Sequence, residues 1–286
     1  MTKLILITGA NAGIGFQTAL GLAKENHQII MVCRNKERGE KAKQSIIQQT
    51  GNNSIDLLLA DLSLQSDIRN LVSEIEIKYD RIDVLINNAG AIFLKRQETV
   101  EGIEKTLATN HLSYFLLTYL LLPKLEKSDS ARIINVASGA HKNKEIDFDD
   151  IQNKNNYKWF NTYGQSKLAN IMFTIELSNR LNGKKITVNA LHPGFVASQF
   201  AKNNGILSKI VMNLVKLYAR NPKKGATTSI YLATAPELEG VTGNYYYDFG
   251  RGKSIDIRQA NPSKVAKNEE NQQKLWKISE EMTQLQ

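Results

Sequence analysis

Three side chains in the middle of the chain can together move a proton to or from a small molecule. Tyr163 and Lys167 are four residues apart in a segment with helical spacing, so both project from one face of the helix. A neighbouring ammonium stabilises a phenolate, and we therefore expect Lys167 to lower the pKa of Tyr163. Ser138 ends a predicted strand, where its hydroxyl can hydrogen-bond a substrate oxygen whose charge changes. By itself, such a Tyr/Lys pair is most often a chance feature of a solvated helix.

The amino-terminal segment predicts a phosphate-binding turn. A short apolar strand leads directly into a loop that carries Gly9, Gly13 and Gly15, and a helical pattern follows. Glycines let the backbone approach a pyrophosphate closely, and the free N–H groups and dipole of the helix attract its charge. The spacing is Gly-x-x-x-Gly-x-Gly, without the Gly-Lys-Ser/Thr ending of a nucleoside triphosphate loop. A dinucleotide is the expected ligand, and a glycine turn without a ligand is the alternative.

Two arginines indicate which dinucleotide is preferred. Dinucleotide folds that prefer NAD place an acidic residue at the end of the second strand, but this chain has Arg34 there and Arg38 one turn later. A guanidinium matches a phosphate bidentately, so the pair predicts NADP(H) over NAD(H), with Asn11 assisting from the glycine loop. A solvated basic helix start is the alternative.

Strand and helix patterns alternate along the chain, which predicts an α/β fold. The sheet should be parallel and doubly wound (a Rossmann fold), with helices on both faces, in one domain spanning residues 1–286. Beyond the first strand and its helix, the predicted strands are 28–33, 55–60, 83–87, 132–137 and 186–192, the predicted helices are 36–49, 64–79, 100–125 and 162–181, and a final helix and strand follow residue 226. Two insertions, 139–160 and 198–226, follow strand ends and should border the ligand site.

Composition limits the partners of the chain. The 286 residues carry 37 Lys and Arg against 28 Asp and Glu, a net charge of +9. Six of the basic residues and no acidic one lie between Lys202 and Lys224, so the excess is local and a nucleic-acid partner is not expected. Cys33 is the only cysteine, which favours a reducing cytoplasm. The four histidines lack zinc-ligand spacing, so no metal is expected.

Apolar segments raise the questions of membrane contact and self-association. The longest apolar run, 112–122, is well short of the roughly 20 residues that span a bilayer, and no signal sequence is visible. Residues 205–220 place apolar side chains on one helical stripe, which is typical of a lid, a core-facing helix or a helix lying on anionic lipid. Helices near 112–125 and 166–177 are apolar on more than one face, which suits a homodimer contact or a sandwiched core helix.

These motifs together resemble those of the short-chain dehydrogenase/reductase family over essentially the whole chain. The matching positions are the cofactor loop at 8–15, the strand-four motif at 87–90, Ser138, Tyr163, Lys167, the fourth catalytic position Asn110, and His192, Pro193 and Gly194 after the sixth strand. The resemblance implies that Tyr163 exchanges a proton with the substrate oxygen and Ser138 orients that oxygen. It implies that Lys167 holds the nicotinamide ribose and lowers the pKa of Tyr163.

Other roles also follow from the resemblance. Asn110 would bind a water that continues the proton path to solvent, unless it is a helix-kink asparagine that satisfies backbone groups. Asp61 and Leu62 would contact adenine, with a helix N-cap as the other reading of Asp61. Together with the arginine pair and Asn11, which were argued from charge, the predicted cofactor-binding residues are Gly9, Asn11, Gly13, Ile14, Gly15, Arg34, Arg38, Asp61, Leu62, Asn88, Ala89, Gly90, Tyr163, Lys167, Pro193, Gly194 and Val196.

The expected function is an NADP(H)-dependent oxidoreductase that interconverts a carbonyl and an alcohol on a bulky apolar small molecule. The long insertion 139–160 resembles the branch of retinol dehydrogenases, protochlorophyllide reductases and related carbonyl reductases, although an amino-terminal hydrophobic anchor, often found in retinol enzymes, is not seen. A dinucleotide-sensing or scaffold protein of the same fold is the alternative. A methyltransferase using S-adenosylmethionine would explain neither the Arg pair nor the Tyr/Lys pair.

Overall fold

The computed structural model describes residues 2–195 and 221–285, and the strands among them form one eight-stranded sheet in the order β3-β2-β1-β4-β5-β6-β7-β8. Strands β1 to β7 are parallel, and β8 pairs antiparallel with β7 at the edge. The strands are β1 (Leu4–Thr8), β2 (Gln28–Cys33), β3 (Ile55–Leu59), β4 (Val84–Asn87), β5 (Ala131–Val136), β6 (Ile186–His192), β7 (Tyr245–Asp248) and β8 (Ile257–Gln259).

Helices cover both faces of the sheet, which confirms the doubly wound α/β fold. The helices are α1 (Gly13–Lys24), α2 (Lys36–Thr50), α3 (Gln65–Lys78), α4 (Lys105–Leu107), α5 (Ser113–Leu125), α6 (Trp159–Arg180), α7 (Pro222–Thr234) and α8 (Glu269–Thr283). One apolar core lies under α1, α2 and α7, and the other lies under α3, α5 and α6. The strand order reverses at β1, between β2 and β4, and this reversal opens a crevice at the carboxyl ends of the strands.

The prediction of one long helix over 100–125 is wrong in two respects. The observed helix begins at Lys105, and a π-helical turn interrupts it. Gly102 has a φ of +76° and closes a turn, and the Glu104 carboxylate then caps α4 by accepting hydrogen bonds from the backbone N–H groups of Thr106 and Leu107. A π-helical turn, Ala108–Leu112, separates α4 from α5. Apolar periodicity continues through such an irregularity, so the sequence pattern does not show it.

The C-terminal part of the chain contains more structure than expected. Neither the antiparallel strand β8 nor helix α8 was predicted, since β8 is three residues long and α8 is largely polar. Trp276 of α8 packs against Phe115 and Phe173, with ring centroids 4.9 Å and 5.9 Å apart. The apolar faces of α5 and α6 are therefore covered here by α8 of the same chain, which agrees with the reading as sandwiched core helices.

Candidate active site

The glycine loop has the close backbone packing that its sequence predicts. Gly9 and Gly13 have φ values of +67° and +56°, which side chains rarely adopt. A Cβ atom on Gly15 would lie against the Gly9 carbonyl oxygen and 2.5 Å from Asn88 Nδ2, so this position has no room for a side chain. Helix α1 has Ala12 as its N-cap residue, and no side chain caps its first N–H groups. These groups are available to a phosphate.

Thr8 joins the glycine loop to the loop after β4. Its Oγ1 accepts hydrogen bonds from the backbone N–H groups of Asn88 at 2.8 Å and Ala89 at 2.9 Å. In the other direction, Asn88 Nδ2 donates to the Thr8 carbonyl oxygen at 2.7 Å. Sequence analysis placed Asn88 at the cofactor but missed this function of Thr8. A polar residue at the end of a buried strand was the available signal.

A cleft of about 250 Å³ runs along the carboxyl ends of β1, β2, β3 and β4. Its lining combines glycine backbone with polar and apolar side chains, and its glycine-rich floor leaves the α1 N–H groups uncapped, so these residues fit a dinucleotide. The lining residues are Gly9, Asn11, Ala12, Gly13, Ile14, Gly15, Val32, Cys33, Arg34, Asn35, Arg38, Ala60, Asp61, Leu62, Asn88, Ala89, Gly90, Ala91, Phe93 and Thr109. The structure therefore brings together the predicted cofactor residues from the first four strand ends.

Arg34 and Arg38 stand at one end of this cleft, and both are exposed. Arg34 Nη1 lies 3.4 Å from Asp61 Oδ2, so the residue predicted to bind the 2′-phosphate is paired with the one predicted to contact adenine. Asp61 does not cap α3, which begins at Gln65 after Leu64, so its reading as a helix N-cap is wrong.

The Asp61 carboxylate instead closes a local turn. Its Oδ1 accepts hydrogen bonds from the Ser63 backbone N–H at 3.0 Å and from the Ser63 hydroxyl at 2.7 Å. Burial raises its pKa, but these hydrogen bonds and Arg34 together outweigh burial and hold the pKa below its usual range. Asp61 is therefore a fixed negative charge beside Arg34.

Ser138 follows β5 and opens a short turn, Gly139–His141. Its backbone is extended, and its Oγ accepts a hydrogen bond from the Ala140 N–H at 3.2 Å. The Ser138 hydroxyl lies near enough to the Tyr163 phenol to lower the pKa of that phenol. The two residues that the sequence analysis assigned to the substrate oxygen are therefore neighbours.

Tyr163 and Lys167 lie near each other on α6, at the end of the sheet that carries Ser138. Lys167 Nζ is 5.9 Å from the centroid of the Tyr163 ring and donates a hydrogen bond to the Val136 carbonyl oxygen at 2.9 Å. Nζ also lies 5.4 Å from the ring centroid of Tyr114, whose hydroxyl donates to the Ala89 carbonyl oxygen at 2.8 Å. Tyr114, which sequence analysis missed, thus connects the lysine to the wall of the cleft.

The protonation of this pair differs from the prediction. Burial raises the pKa of Tyr163 to about 12, although the nearby Ser138 hydroxyl lowers it in part. Burial also lowers the pKa of Lys167 to about 7. For the protein alone, the pKa shift of Tyr163 is opposite to the expectation that Lys167 would lower it, because burial removes the water that would hydrate a phenolate. Tyr163 is a neutral phenol and thus a proton donor.

Asn110 lies in the π-helical turn and is fully buried. Its Oδ1 accepts from the Ala91 N–H at 2.8 Å, and its Nδ2 donates to the Ala91 carbonyl oxygen and to Ser166 Oγ, both at 3.0 Å. Its own carbonyl oxygen accepts from Asn170 Nδ2 at 2.8 Å. The side chain therefore satisfies backbone groups, as expected for an asparagine at a helix kink. It also connects α6 to the cleft wall through Ser166 and Ala91. Its water-binding role stays a prediction.

The remaining predicted cofactor residues are not among those that line this cleft. Tyr163, Lys167, Pro193 and Gly194 are not part of its lining. Gly194 has a φ of +85° and turns the chain after β6. Val196 lies outside the described residues, as do residues 205–220 and all but 221–226 of the second insertion. Closure of the loop after β6 around a nicotinamide stays a prediction.

The fold and the cleft define a dinucleotide-binding protein with a Ser, Tyr and Lys group beside the nucleotide site. Residues 3–206 match the family model described as short chain dehydrogenase. The chain belongs to this family and is accordingly an oxidoreductase that acts on CH–OH and C=O groups and binds a nicotinamide dinucleotide.

Three similar proteins illustrate the relationship. The chain is 39% identical to Retinol dehydrogenase 13 of Homo sapiens over 290 residues, which cover 99% of this chain and 85% of that protein. A solved structure of an uncharacterised protein from Mycobacterium paratuberculosis is 30% identical, with a TM-score of 0.79 and coverage of 99% of this chain and 93% of that one. The Pseudomonas aeruginosa RhlG/NADP active-site complex is 26% identical, with a TM-score of 0.67 and coverage of 85% and 93%.

Proposed function

We propose that this protein uses NADP(H) to interconvert a carbonyl and an alcohol on a bulky, apolar small molecule of the retinoid size class. The observation that carries this proposal is the grouping of Ser138 and Tyr163 as neighbours, with Lys167 Nζ 5.9 Å from the centroid of the Tyr163 ring and a dinucleotide cleft along the adjoining strand ends. The similarity to retinol dehydrogenases supports the substrate class.

The side chains of this site have complementary roles in the reaction. The nicotinamide cofactor, when bound, supplies or accepts the hydride. Tyr163, held neutral by burial, donates its proton to the substrate oxygen during reduction and takes it back during oxidation. Ser138 hydrogen-bonds that same oxygen and orients it toward the phenol. Lys167 is fixed by the Val136 carbonyl oxygen, and its ammonium stabilises the phenolate that forms.

The preference for NADP(H) rests on charge at the end of β2. Arg34 and Arg38 line the cleft at the place where an acidic residue would accept hydrogen bonds from the ribose of NAD. Among the described residues, no carboxylate forms an ion pair with the Arg38 guanidinium, so it is available to a 2′-phosphate. Arg34 must share its charge with Asp61. Arg38 is therefore the stronger of the two phosphate ligands in this proposal, with Asn11 assisting.

The substrate class rests on the first insertion. The hydroxyl of Tyr157 donates to the carbonyl oxygen of Phe93 at 2.6 Å, so the insertion reaches the rim of the cleft. Trp159 and Phe160 open α6 just before Tyr163, and their side chains are 42% and 53% exposed. Exposed aromatic rings next to a proton donor favour a large apolar substrate over a small polar one.

The test is the deletion of one hydroxyl group. Tyr163→Phe removes the proton donor, and we expect kcat to fall by at least about 10²-fold while the affinity for NADPH is nearly unchanged. Loss of NADPH absorbance measures turnover on a panel of aldehydes, ketones, quinones and retinoids. Tyr79→Phe is the matched control, because the Tyr79 hydroxyl bonds Asp56 at 2.8 Å near the opposite edge of the sheet. A Tyr163→Phe variant as active as the parent would refute the mechanism.

A cytoplasmic location, a homodimer and a single domain stay predictions from the sequence, as does peripheral membrane contact through residues 205–220. Within residues 2–195 and 221–285, none of the helices combines the length and apolar character needed to cross a bilayer. A dinucleotide sensor without catalysis would bind NADPH and leave every member of the panel unreduced.

A further inference from the structure

The buried residue His141 hydrogen-bonds the backbone of Ser138. His141 has no exposed surface, and its Nδ1 lies 2.7 Å from the Ser138 carbonyl oxygen. The backbone N–H of His141 donates to the same oxygen at 3.2 Å. The Ser138 carbonyl oxygen therefore has two partners, both belonging to one residue, and the turn that sets the direction of the serine side chain is closed by His141.

The other ring nitrogen of His141 fixes the tautomer. The backbone N–H of Ser263 donates to His141 Nε2 at 3.3 Å, so Nε2 is the acceptor and the ring hydrogen lies on Nδ1. That hydrogen is then directed at the Ser138 carbonyl oxygen. The ring also packs edge-on against Tyr245 of β7, with centroids 5.3 Å apart. Burial lowers the pKa of His141, so the ring is neutral at neutral pH.

Ser138 depends on this arrangement because its hydroxyl has to point in one direction. Its Oγ accepts the Ala140 N–H at 3.2 Å within the same turn, and the hydroxyl hydrogen remains available to a substrate oxygen beside Tyr163. A rotation of the turn would move Oγ away from the phenol. An error of about 1 Å in the placement of reacting groups can cost on the order of 10²-fold in rate.

We propose that His141 is a positioning residue for catalysis: its Nδ1–H, oriented by the Ser263 N–H, holds the Ser138 turn in the conformation that aims the serine hydroxyl at the substrate oxygen. This inference rests on the proposed function. It assigns a catalytic consequence to Ser263, which lies beyond the residues matched by the family model. A core histidine that only contributes packing is the competing explanation.

Two substitutions of His141 test the roles of its two ring nitrogens separately. An asparagine amide places its nitrogen near the position of imidazole Nδ1, whereas a glutamine amide reaches the position of Nε2. His141→Asn therefore keeps the donor to Ser138 and loses the Ser263 contact and part of the packing on Tyr245. His141→Gln keeps the Ser263 contact and most of the volume and loses the donor to Ser138.

If His141 positions Ser138, kcat and melting temperature should rank the two His141 variants in opposite orders. We expect His141→Gln to lower kcat by about 10²-fold with the KM for NADPH unchanged, and His141→Asn to keep kcat within about fivefold of the parent although it melts at a lower temperature. The assay is carbonyl reduction per mole of protein that binds NADPH. If kcat instead follows melting temperature, or if His141→Gln is as fast as the parent, the proposal is overturned.

Two further measurements keep the result interpretable. His27→Gln is the matched control, since His27 is also buried and accepts a backbone N–H at 3.2 Å, from Lys3 at the other end of the sheet, and its kcat should equal that of the parent. Nitrogen-15 NMR of the parent protein should show His141 as the neutral Nδ1–H tautomer, and an Nε2–H tautomer would overturn the proposal even if His141→Gln did not fold. The NMR needs no substrate, so failure of the whole panel would refute the proposed function alone.

Discussion

Replacing Arg34 or Arg38 by alanine tests the cofactor preference at the level of single charges. A charge-assisted hydrogen bond contributes about 1.5 to 3 kcal/mol. The Arg34 side chain is 56% exposed and already lies 3.4 Å from Asp61, so the lower end of this range applies to it. About 1.5 kcal/mol corresponds to roughly a tenfold change. We therefore expect Arg34→Ala to reduce kcat/KM for NADPH by about tenfold and to leave that for NADH nearly unchanged.

The ratio of kcat/KM for NADPH to that for NADH is the measured quantity, because it cancels any effect on adenine or pyrophosphate binding. Arg38→Ala should lower this ratio more than Arg34→Ala, since no carboxylate among the described residues is paired with Arg38. Asp61→Asn should raise the ratio, because it removes the carboxylate charge that pairs with Arg34. Lys36→Ala is the matched control, because Lys36 begins α2 between the two arginines but does not line the cleft. An unchanged ratio in both arginine variants would refute the assignment of the 2′-phosphate site.

Three further substitutions test the site and the core. Burial lowers the pKa of Lys167 to about 7, so kcat/KM for NADPH should fall as pH rises through about 7, whereas Lys167→Arg should be slower but level up to about pH 9, because a guanidinium stays charged. Gly15→Ala should abolish NADPH binding measured by fluorescence and leave the circular dichroism spectrum intact, because its Cβ would lie 2.5 Å from Asn88 Nδ2. His111 is fully buried with its pKa lowered to about 4, so the unfolded chain takes up a proton below pH 6.5 that the folded chain refuses, and the free energy of unfolding should fall by about 2 kcal/mol between neutral pH and about pH 5. Urea unfolding at the two pH values should show this loss in the parent and a smaller one in His111→Gln, and equal losses would contradict the burial argument.

The parallel sheet and the nucleotide cleft were predictable because both depend on local patterns. A buried parallel strand needs a continuous apolar run, and the observed bounds of β2 and β6 equal the predicted ones. The predicted cofactor residues follow strand ends, so strands predicted at the right positions bring those residues to the cleft. The start of α4 was not predictable from the apolar pattern, because it is set by a turn at Gly102 and by the capping carboxylate of Glu104.

Long-range effects account for the errors at the active site. The four-residue spacing of Tyr163 and Lys167 shows that they are neighbours, but it does not show how much water reaches them. Burial decides both pKa values, and burial results from the packing of the whole domain. The partners of His141 are equally non-local, since Ser263 follows it by 122 residues. No periodicity in the sequence indicates that contact.

The C-terminal segment is connected to the catalytic residues by a second route besides Ser263. Ser279 of α8 lies 2.9 Å from His111 Nε2, and His111 Nδ1 lies 3.3 Å from Asn170 Oδ1. Asn170 in turn donates to the Asn110 carbonyl oxygen at 2.8 Å, and Asn110 holds Ala91 at the cleft wall. Each of these polar groups is buried, so leaving one of them without its partner would cost about 1 to 3 kcal/mol. The correct docking of α8 is therefore energetically coupled to the geometry of the π-helical turn, although α8 supplies no residue to the cleft itself.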